Sequence, residues 1–490
     1  MTKLEKANQY QEQNRIDQRE KPVFHVTAPV GWMNDPNGFS IYQGRVHLFY
    51  QYHPYSSDWG PMHWGHFVSD DFVKWEGLPV ALAPDSDYDA AGCFSGSAIE
   101  TDEGHVLVYT GVMESEQKDG TKEVIQHQCL AIGDGVSYEK ISNNPVIPVE
   151  QLPEGLSSQD FRDPKIWKEG GSYYLVACSR DEQKNGQALL FTSENCRDWR
   201  YLSVLADNQG RYGKIWECPD FFSLDEKQIL LVSPMNMQAD GQEFHNGNQS
   251  MAIIGKYDRQ NGHLLEEQVV SLDYGMDFYA PQTLLTEDGR RIMIAWMQSW
   301  DMMIKPEKQK WYGMMTIPRQ IELRDGVLFQ NPVKELEQYH TDKVICESIE
   351  LSGETAIPGI RGRVLDLTVE LLCGDYKEFT IFFAKNEKYV TNFRYDRAAQ
   401  RIEFDRTYSG MTRDVVSQRT MKIKKAEKTL KLRLLLDRFS VELFVNDGAQ
   451  TFSATFYTPL DAEDIEFVCD GTVVANIEKY RIQLDKEVEE

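Results

Sequence analysis

The sequence predicts an all-β protein: a five-bladed β-propeller followed by a C-terminal β-sandwich. Three observations predict it. A quasi-repeat runs through the first two thirds of the chain, the hydrophobic texture changes near residue 335, and apolar and polar residues alternate beyond that point. The repeat opens at Asp35-Pro36-Asn37-Gly38-Phe39 and returns as Asp163-Pro164-Lys165-Ile166-Trp167, Cys218-Pro219-Asp220-Phe221-Phe222 and Ala280-Pro281-Gln282-Thr283-Leu284. Each copy passes through a polar turn such as Gly170-Gly171 into an apolar strand such as Tyr173-Tyr174-Leu175-Val176. A fifth copy lacks the proline and reads Phe94-Ser95-Gly96-Ser97-Ala98-Ile99, before Val106-Leu107-Val108-Tyr109.

The copies are anchored at positions 36, 95, 164, 219 and 281, at intervals of 59, 69, 55 and 62 residues. Such intervals hold four short strands with their turns, the size of a propeller blade. A second marker supports the repeat: Ser69 and Trp75 bracket one segment, and Ser193 and Trp199, again six apart, bracket another. The propeller is expected over residues 22–335, after an N-terminal extension of residues 1–21. A short helix-like connector, Asn331-Pro332-Val333-Lys334-Glu335-Leu336-Glu337, leads into residues 336–490. There Leu365-Asp366-Leu367-Thr368-Val369-Glu370-Leu371 and Ser440-Val441-Glu442-Leu443-Phe444-Val445 alternate, and Asn446-Asp447-Gly448 is hairpin-turn chemistry. One apolar face per strand predicts sheets packed on one side, hence a sandwich.

Composition bounds the function. With 52 basic and 77 acidic residues the net charge is −25, which repels phosphate backbones and anionic lipids, so neither nucleic acid nor a membrane is expected as a partner. Residues 1–21 lack the apolar segment of a secretory signal, and the eight cysteines are scattered without a Cys-x-x-Cys pair. A cytoplasmic protein with reduced thiols is the expectation. His47, His53, His63 and His66 are close in sequence but do not have metal-ligand spacing on a helix, and no phosphate-binding glycine loop is present. Neither a metal nor a cofactor is expected.

The repeat brings Asp35, Asp163 and Glu217 to matching places in three blades, each one or two residues before the repeat proline. In a propeller those places ring one mouth of the central channel. Each acid has an ordinary reading when taken alone: a turn aspartate, an ion-paired aspartate beside Arg162, a strand glutamate. Together at one rim, with Trp32, Trp59, Phe94, Trp216, Tyr279 and Trp296 as walls, they are the equipment of glycoside hydrolysis. The asparagines and free amides around Asp35 suit an ionised nucleophile. Trp216, Cys218 and Pro219 around Glu217 suit an acid that holds its proton, and Arg162 is expected to keep Asp163 charged. These roles predict a bell-shaped pH profile, with the acidic limb from Asp35 and the basic limb from Glu217.

At these residues the chain resembles glycoside hydrolase family 32, the invertases and β-fructofuranosidases. The resemblance rests on Trp32-Met33-Asn34-Asp35-Pro36-Asn37-Gly38, Phe161-Arg162-Asp163-Pro164 and Trp216-Glu217-Cys218-Pro219-Asp220. Phe94-Ser95-Gly96-Ser97 and the segment from Trp59 to His66 lie between them. It implies that Asp35 is the nucleophile, Glu217 the acid/base, and Asp163 the residue that binds fructose hydroxyls and stabilises the transition state. It implies sugar-binding positions at Asn34, Gln51, Trp59, Phe94, Ser95 and Arg162, with Tyr279 and Trp296 matching less closely. The implied activity is release of fructose from sucrose, sucrose 6-phosphate or short fructo-oligosaccharides through a covalent fructosyl-enzyme, with a small sugar as the only implied ligand. A fructosyltransferase shares the first half-reaction, and a fructoside-binding propeller without catalysis is the reading from another class. A homo-oligomer is compatible with the sequence.

Overall fold

The computed structural model describes residues 1–116, 120, 122–411, 416–424 and 429–484. Five sheets are arranged as blades, each hydrogen-bonded in chain order from its inner strand outward. Their inner strands are Gly31–Tyr42, Gly92–Thr101, Arg162–Glu169, Ile215–Leu224 and Tyr279–Leu285. Each touches the next around the ring and the fifth touches the first, which is the closure expected of a propeller.

The repeat proline has a structural reason. In the third, fourth and fifth blades two residues of the inner strand oppose one on its neighbour: Asp163-Pro164, Cys218-Pro219 and Ala280-Pro281. This is a β-bulge, where a missing N–H costs no ladder bond and the strand bends. Asp163, Cys218 and Ala280 adopt positive φ there, at 63°, 50° and 54°. In the first blade the bulge falls at Asn34-Asp35, one residue earlier, and in the second at Ser95. The sequence motif therefore marks the point at which each inner strand re-aims its side chains toward the axis.

The serine–tryptophan marker is the turn between third and fourth strands. Asp71 Oδ1 accepts from the amides of Val73 and Lys74 at 3.0 and 2.8 Å, and Asn195 Oδ1 accepts from those of Arg197 and Asp198, both at 2.9 Å. Trp75 and Trp199 donate their indole N–H to the carbonyls of Phe72 and Cys196, the two residues with φ of 65° and 61°.

The ring is locked by a crossover. Between its second and third strands the fifth blade sends out a segment whose Trp311–Tyr312 pairs in parallel with Gly31 and Trp32 of the first blade. Gly313 follows at φ 85°, where a Cβ would stand 1.9 Å from the Met33 carbonyl, so only glycine lets the two blades approach this closely. The N-terminal segment is structured too. Thr2 and Glu5 form a capping box for a helix, Lys3–Gln13, which seats Ala7 and Gln11 on the first blade; Asn8 accepts from the Val80 amide at 2.7 Å.

The connector is a 3-10 helix, Lys334–Tyr339, and all the strands beyond it belong to one hydrogen-bonded network folded into two layers. The long strands Leu365–Lys385 and Asp464–Ile482 shift register between Leu371 and Phe379 and so serve both layers. Phe393 and Phe404 of one layer meet Phe452 of the other at 5.5 and 5.3 Å between ring centroids.

The expected polar outer face is present on Val390–Asp396 and Arg401–Tyr408, where burial alternates, but not on Ser440–Val445 and Gln450–Thr455, which are buried throughout. Those two strands press their polar face against the propeller. Glu442 accepts from Arg319 Nε at 2.9 Å, from the Ile317 amide at 2.7 Å and meets His25 Nε2 at 2.8 Å; His25 Nδ1 meets Asp437 at 3.0 Å. Arg319 also pairs with Asp273 at 3.0 Å, and Arg406 with Asp277 at 2.8 Å. The interface is thus built on buried, paired charges rather than on apolar contact alone. Among the described residues no helix is long and apolar enough to cross a membrane.

Candidate active site

Asp35, Asp163 and Glu217 arrive from the first, third and fourth blades and meet through Cys218. The Cys218 amide donates to Asp163 Oδ2 at 2.9 Å, and its Sγ lies 3.6 Å from both Asp35 Oδ2 and Asp163 Oδ2. The positive φ of Cys218 at the bulge is what turns this amide toward a carboxylate of the neighbouring blade. Asp35 Oδ2 also accepts from Ser95 Oγ at 2.7 Å, while Oδ1 is buried without a hydrogen-bond partner among the described residues. Thr110 accepts from the Asp163 amide at 2.9 Å and fixes that strand.

Glu217 is held from two sides. Arg162 Nε donates to Oε1 at 3.0 Å and the Tyr279 hydroxyl to Oε2 at 2.7 Å. The groups that face this carboxylate are donors, not the apolar residues that flank it in sequence. Arg162 is itself anchored by Asp160 Oδ1 at 3.1 Å and Gln126 Oε1 at 3.3 Å.

Burial works against charge on both aspartates. It pushes the Asp35 carboxyl up to about 6, against the Ser95 hydrogen bond and with help from the Glu217 charge. Asp163 is also raised above the usual carboxylate range: burial and the charges of Glu217 and Asp35 outweigh Arg162, whose guanidinium hydrogen-bonds to Glu217 and Asp160 instead. Adjacency in sequence suggested an Arg162–Asp163 pair, but Asp163 sits at the bulge with φ 63° and its carboxylate accepts from the Cys218 amide, while the guanidinium turns to Glu217 and Asp160.

The remaining sequence-predicted residues divide by depth. Trp32 donates to Asn34 Oδ1 at 2.7 Å, and Gln51 Nε2 donates to the Cys93 carbonyl at 3.1 Å. Trp59 is half exposed and meets the half-buried Phe94 edge-on at 6.2 Å, so these two form the outer wall. Tyr279 and Trp296 are fully buried. Trp296 packs with Trp32 and Trp300, and Trp32 stacks on Tyr312 at 4.5 Å. Cys218, Trp300, Tyr312, Thr110, Gln126 and Asp160 were not singled out from sequence. Cys218 had a signal, its place in the repeat; Trp300 and Tyr312 had none, because they lie on or beside the crossover that breaks the blade pattern. His47, His66 and His105 pack among Phe49, Tyr42 and Tyr138, and burial lowers the pKa of all three. No group of side chains suited to a metal occurs among the described residues.

Three carboxylates drawn together from separate blades, beside aromatic side chains, have the residue types that glycoside hydrolysis uses. The family comparisons agree. Residues 25–332 match the glycosyl hydrolases family 32 N-terminal domain and residues 333–483 the family 32 C-terminal domain, so the chain belongs to glycosyl hydrolase family 32. It is 38% identical over 446 residues to a raffinose invertase of Escherichia coli, covering 91% of each chain. It is 36% identical over 443 residues to a sucrose-6-phosphate hydrolase of the same species, covering 89% of each. Among solved structures the GH32 beta-fructofuranosidase of Bombyx mori superposes with a TM-score of 0.85 over 98% of both chains, at 33% identity, and a variant of that enzyme has been solved in complex with sucrose.

Proposed function

We propose that the protein is a retaining β-fructofuranosidase that hydrolyses sucrose-type substrates. The observation that carries the reading is that Asp35 and Asp163 both contact Cys218 Sγ at 3.6 Å, with Glu217 beside it held by Arg162 and Tyr279. Asp35, with one oxygen held by Ser95 and the other unpaired, attacks the fructosyl anomeric carbon. The Glu217 carboxyl gives its proton to the departing glycosidic oxygen as that bond breaks. Water then enters, Glu217 takes a proton from it, and the new C–O bond releases Asp35 as carboxylate. Asp163 binds fructose hydroxyls. Asn34, Gln51, Trp59, Phe94, Ser95, Arg162, Tyr279 and Trp296 shape the fructose pocket and its entrance. The relatives' names support sucrose, its 6-phosphate or a fructosyl-bearing oligosaccharide as substrate.

Two further readings go with this. The protein works in the cytoplasm, a reading supported by eight cysteines that are all unpaired, six of them buried. The domains divide at residue 335, supported by the family boundary at 332 and 333. The test of the catalytic reading is turnover of sucrose and sucrose 6-phosphate by wild type, Asp35→Ala and Glu217→Ala, with mass spectrometry of the denatured protein after rapid mixing. A hexosyl adduct on the peptide bearing Asp35, and a loss of several orders of magnitude in kcat for both variants, is expected. An active Asp35→Ala variant, or fructosyl oligosaccharides in excess of free fructose at ordinary sucrose concentration, would replace this reading.

A further inference from the structure

A cleft of about 890 Å³ lies between the first blade and the sandwich, bordered by residues 18–27, the turn around Trp75, and the segments at 361–364 and 479–484. None of its lining residues belongs to the catalytic mouth. Its charge is the reverse of the molecule's: seven Lys and Arg side chains border it against one acid, Glu463, in a chain of net charge −25.

Three of the cations have carboxylate partners at the rim. Arg19 pairs with Asp17, Arg361 with Glu463 at 3.2 Å, and Arg481 approaches Asp342 at 3.7 Å. Arg363, Arg438 and Lys479 form no ion pair with a carboxylate among the described residues, and their hydrogen bonds go to main-chain carbonyls. Arg363 donates to the carbonyl oxygens of Pro459 at 2.9 Å, Thr458 at 3.3 Å, Ala462 at 3.4 Å and Arg438, and its Nε is buried without a partner. Arg438 donates to the Lys21 and Gln18 carbonyls at 2.7 and 2.8 Å, and Lys479 reaches only the Asp342 carbonyl at 3.4 Å. Burial lowers the pKa of Arg363, to about 10, and that of Lys479. Arg363 and Lys479 are withdrawn from water and hydrogen-bond only to neutral carbonyls, a desolvation cost that an anion would offset.

From this we infer that the cleft binds a phosphate monoester of a small sugar, with Arg363, Arg438 and Lys479 around the phosphate. Two arginines and a lysine that line one cleft from separate segments match the donor-rich recognition that phosphate oxygens need. Phe24, Phe67 and Trp75 supply apolar and aromatic wall for the sugar, and the volume is that of a small-ligand pocket. The site is independent of the catalytic reading, since its lining includes none of Asp35, Asp163 and Glu217, and the Asp35→Ala control separates it from binding of glucose 6-phosphate as a product.

The test is calorimetric titration of the full-length protein at low salt with glucose 6-phosphate, inorganic phosphate and glucose. One equivalent of glucose 6-phosphate is expected to bind with Kd near or below about 1 mM, inorganic phosphate more weakly, and glucose not at all. Lys479→Met and Arg438→Gln should each weaken glucose 6-phosphate about tenfold, with an unchanged far-UV spectrum, while Asp35→Ala leaves it unaltered. If either substitution prevents folding, hydrogen-exchange protection of residues 18–27 and 361–364 in the wild type on adding glucose 6-phosphate replaces it. No heat from either phosphate up to 10-fold above that Kd, or binding lost in Asp35→Ala and kept in Lys479→Met, overturns the inference. Equal affinity for inorganic phosphate overturns its sugar component.

Discussion

Tyr279, on the inner strand of the fifth blade, places its hydroxyl 2.7 Å from Glu217 Oε2 on the fourth. The same hydroxyl lies 3.1 Å from the Ser233 carbonyl, so its position is fixed by the blade beside it. A residue expected to line the sugar pocket therefore holds the carboxylate proposed as the acid. Tyr279→Phe should lower kcat by about tenfold or more while KM changes little, because it frees the acid to rotate without removing substrate contacts. Steady-state kinetics on sucrose check this; a loss confined to KM would return Tyr279 to a role in binding.

The acidic limb of the pH–rate profile should follow Asp35. Its carboxyl must be ionised to attack, and burial sets it at about 6, so kcat/KM should fall as pH drops through that value. The Ser95 hydrogen bond favours the ionised form, and Ser95→Ala should move the limb to higher pH. A limb that stays in place would separate Ser95 from the nucleophile.

Asp35 should also cost the protein stability. A carboxyl raised from 3.8 to about 6 on folding stabilises the native state at low pH, and that contribution is lost as pH rises through the same window. At pH 7 the buried charge is a net burden on the order of 3 kcal/mol. Asp35→Asn should therefore raise Tm at pH 7 and leave it nearly unchanged at pH 4, as thermal melts would reveal. A lower Tm at pH 7 would mean that the hydrogen bonds outweigh the burial.

The seam between propeller and sandwich should be sensitive to alkali. Both ring nitrogens of His25 face carboxylates, so the imidazolium is the form that satisfies them. Burial opposes this charge, but the hydrogen bonds to Asp437 and Glu442 win and push its pKa up to about 9. The resulting stability, on the order of 3 kcal/mol, is complete below pH 6.5 and is lost as pH rises through 9. Urea titrations at pH 6.5, 8 and 9.5 should show that decline in the wild type and its absence in His25→Gln. Glu442→Ala leaves Arg319 and His25 without their acceptor and should cost about 3–5 kcal/mol at pH 7.

Much of this was legible along the chain. The repeat around Pro36, Ser95, Pro164, Pro219 and Pro281 marks bulged strands, and bulges are local features with local sequence signals. The alternation in Val390–Asp396 was equally readable, because one of its faces meets water. That of Ser440–Val445 misled, since Glu442 looks solvent-facing until Arg319, 123 residues away, is seen to cover it. Tyr312 and Trp300 were silent for a related reason: the crossover that carries Tyr312 to Trp32 is specified by where it lands, not by its own pattern.

Sequence alone determined the ring of five strand-rich units, the order of its three acids and the family chemistry they imply, because period and turn chemistry are properties of short segments. Tertiary structure decided the partners and the direction of each pKa shift: that the Arg162 guanidinium binds Glu217 rather than Asp163, that both aspartates contact Cys218, and that burial raises both of them. Electrostatic energy depends on distance and on exclusion of water, and both are set only when remote strands close around the axis.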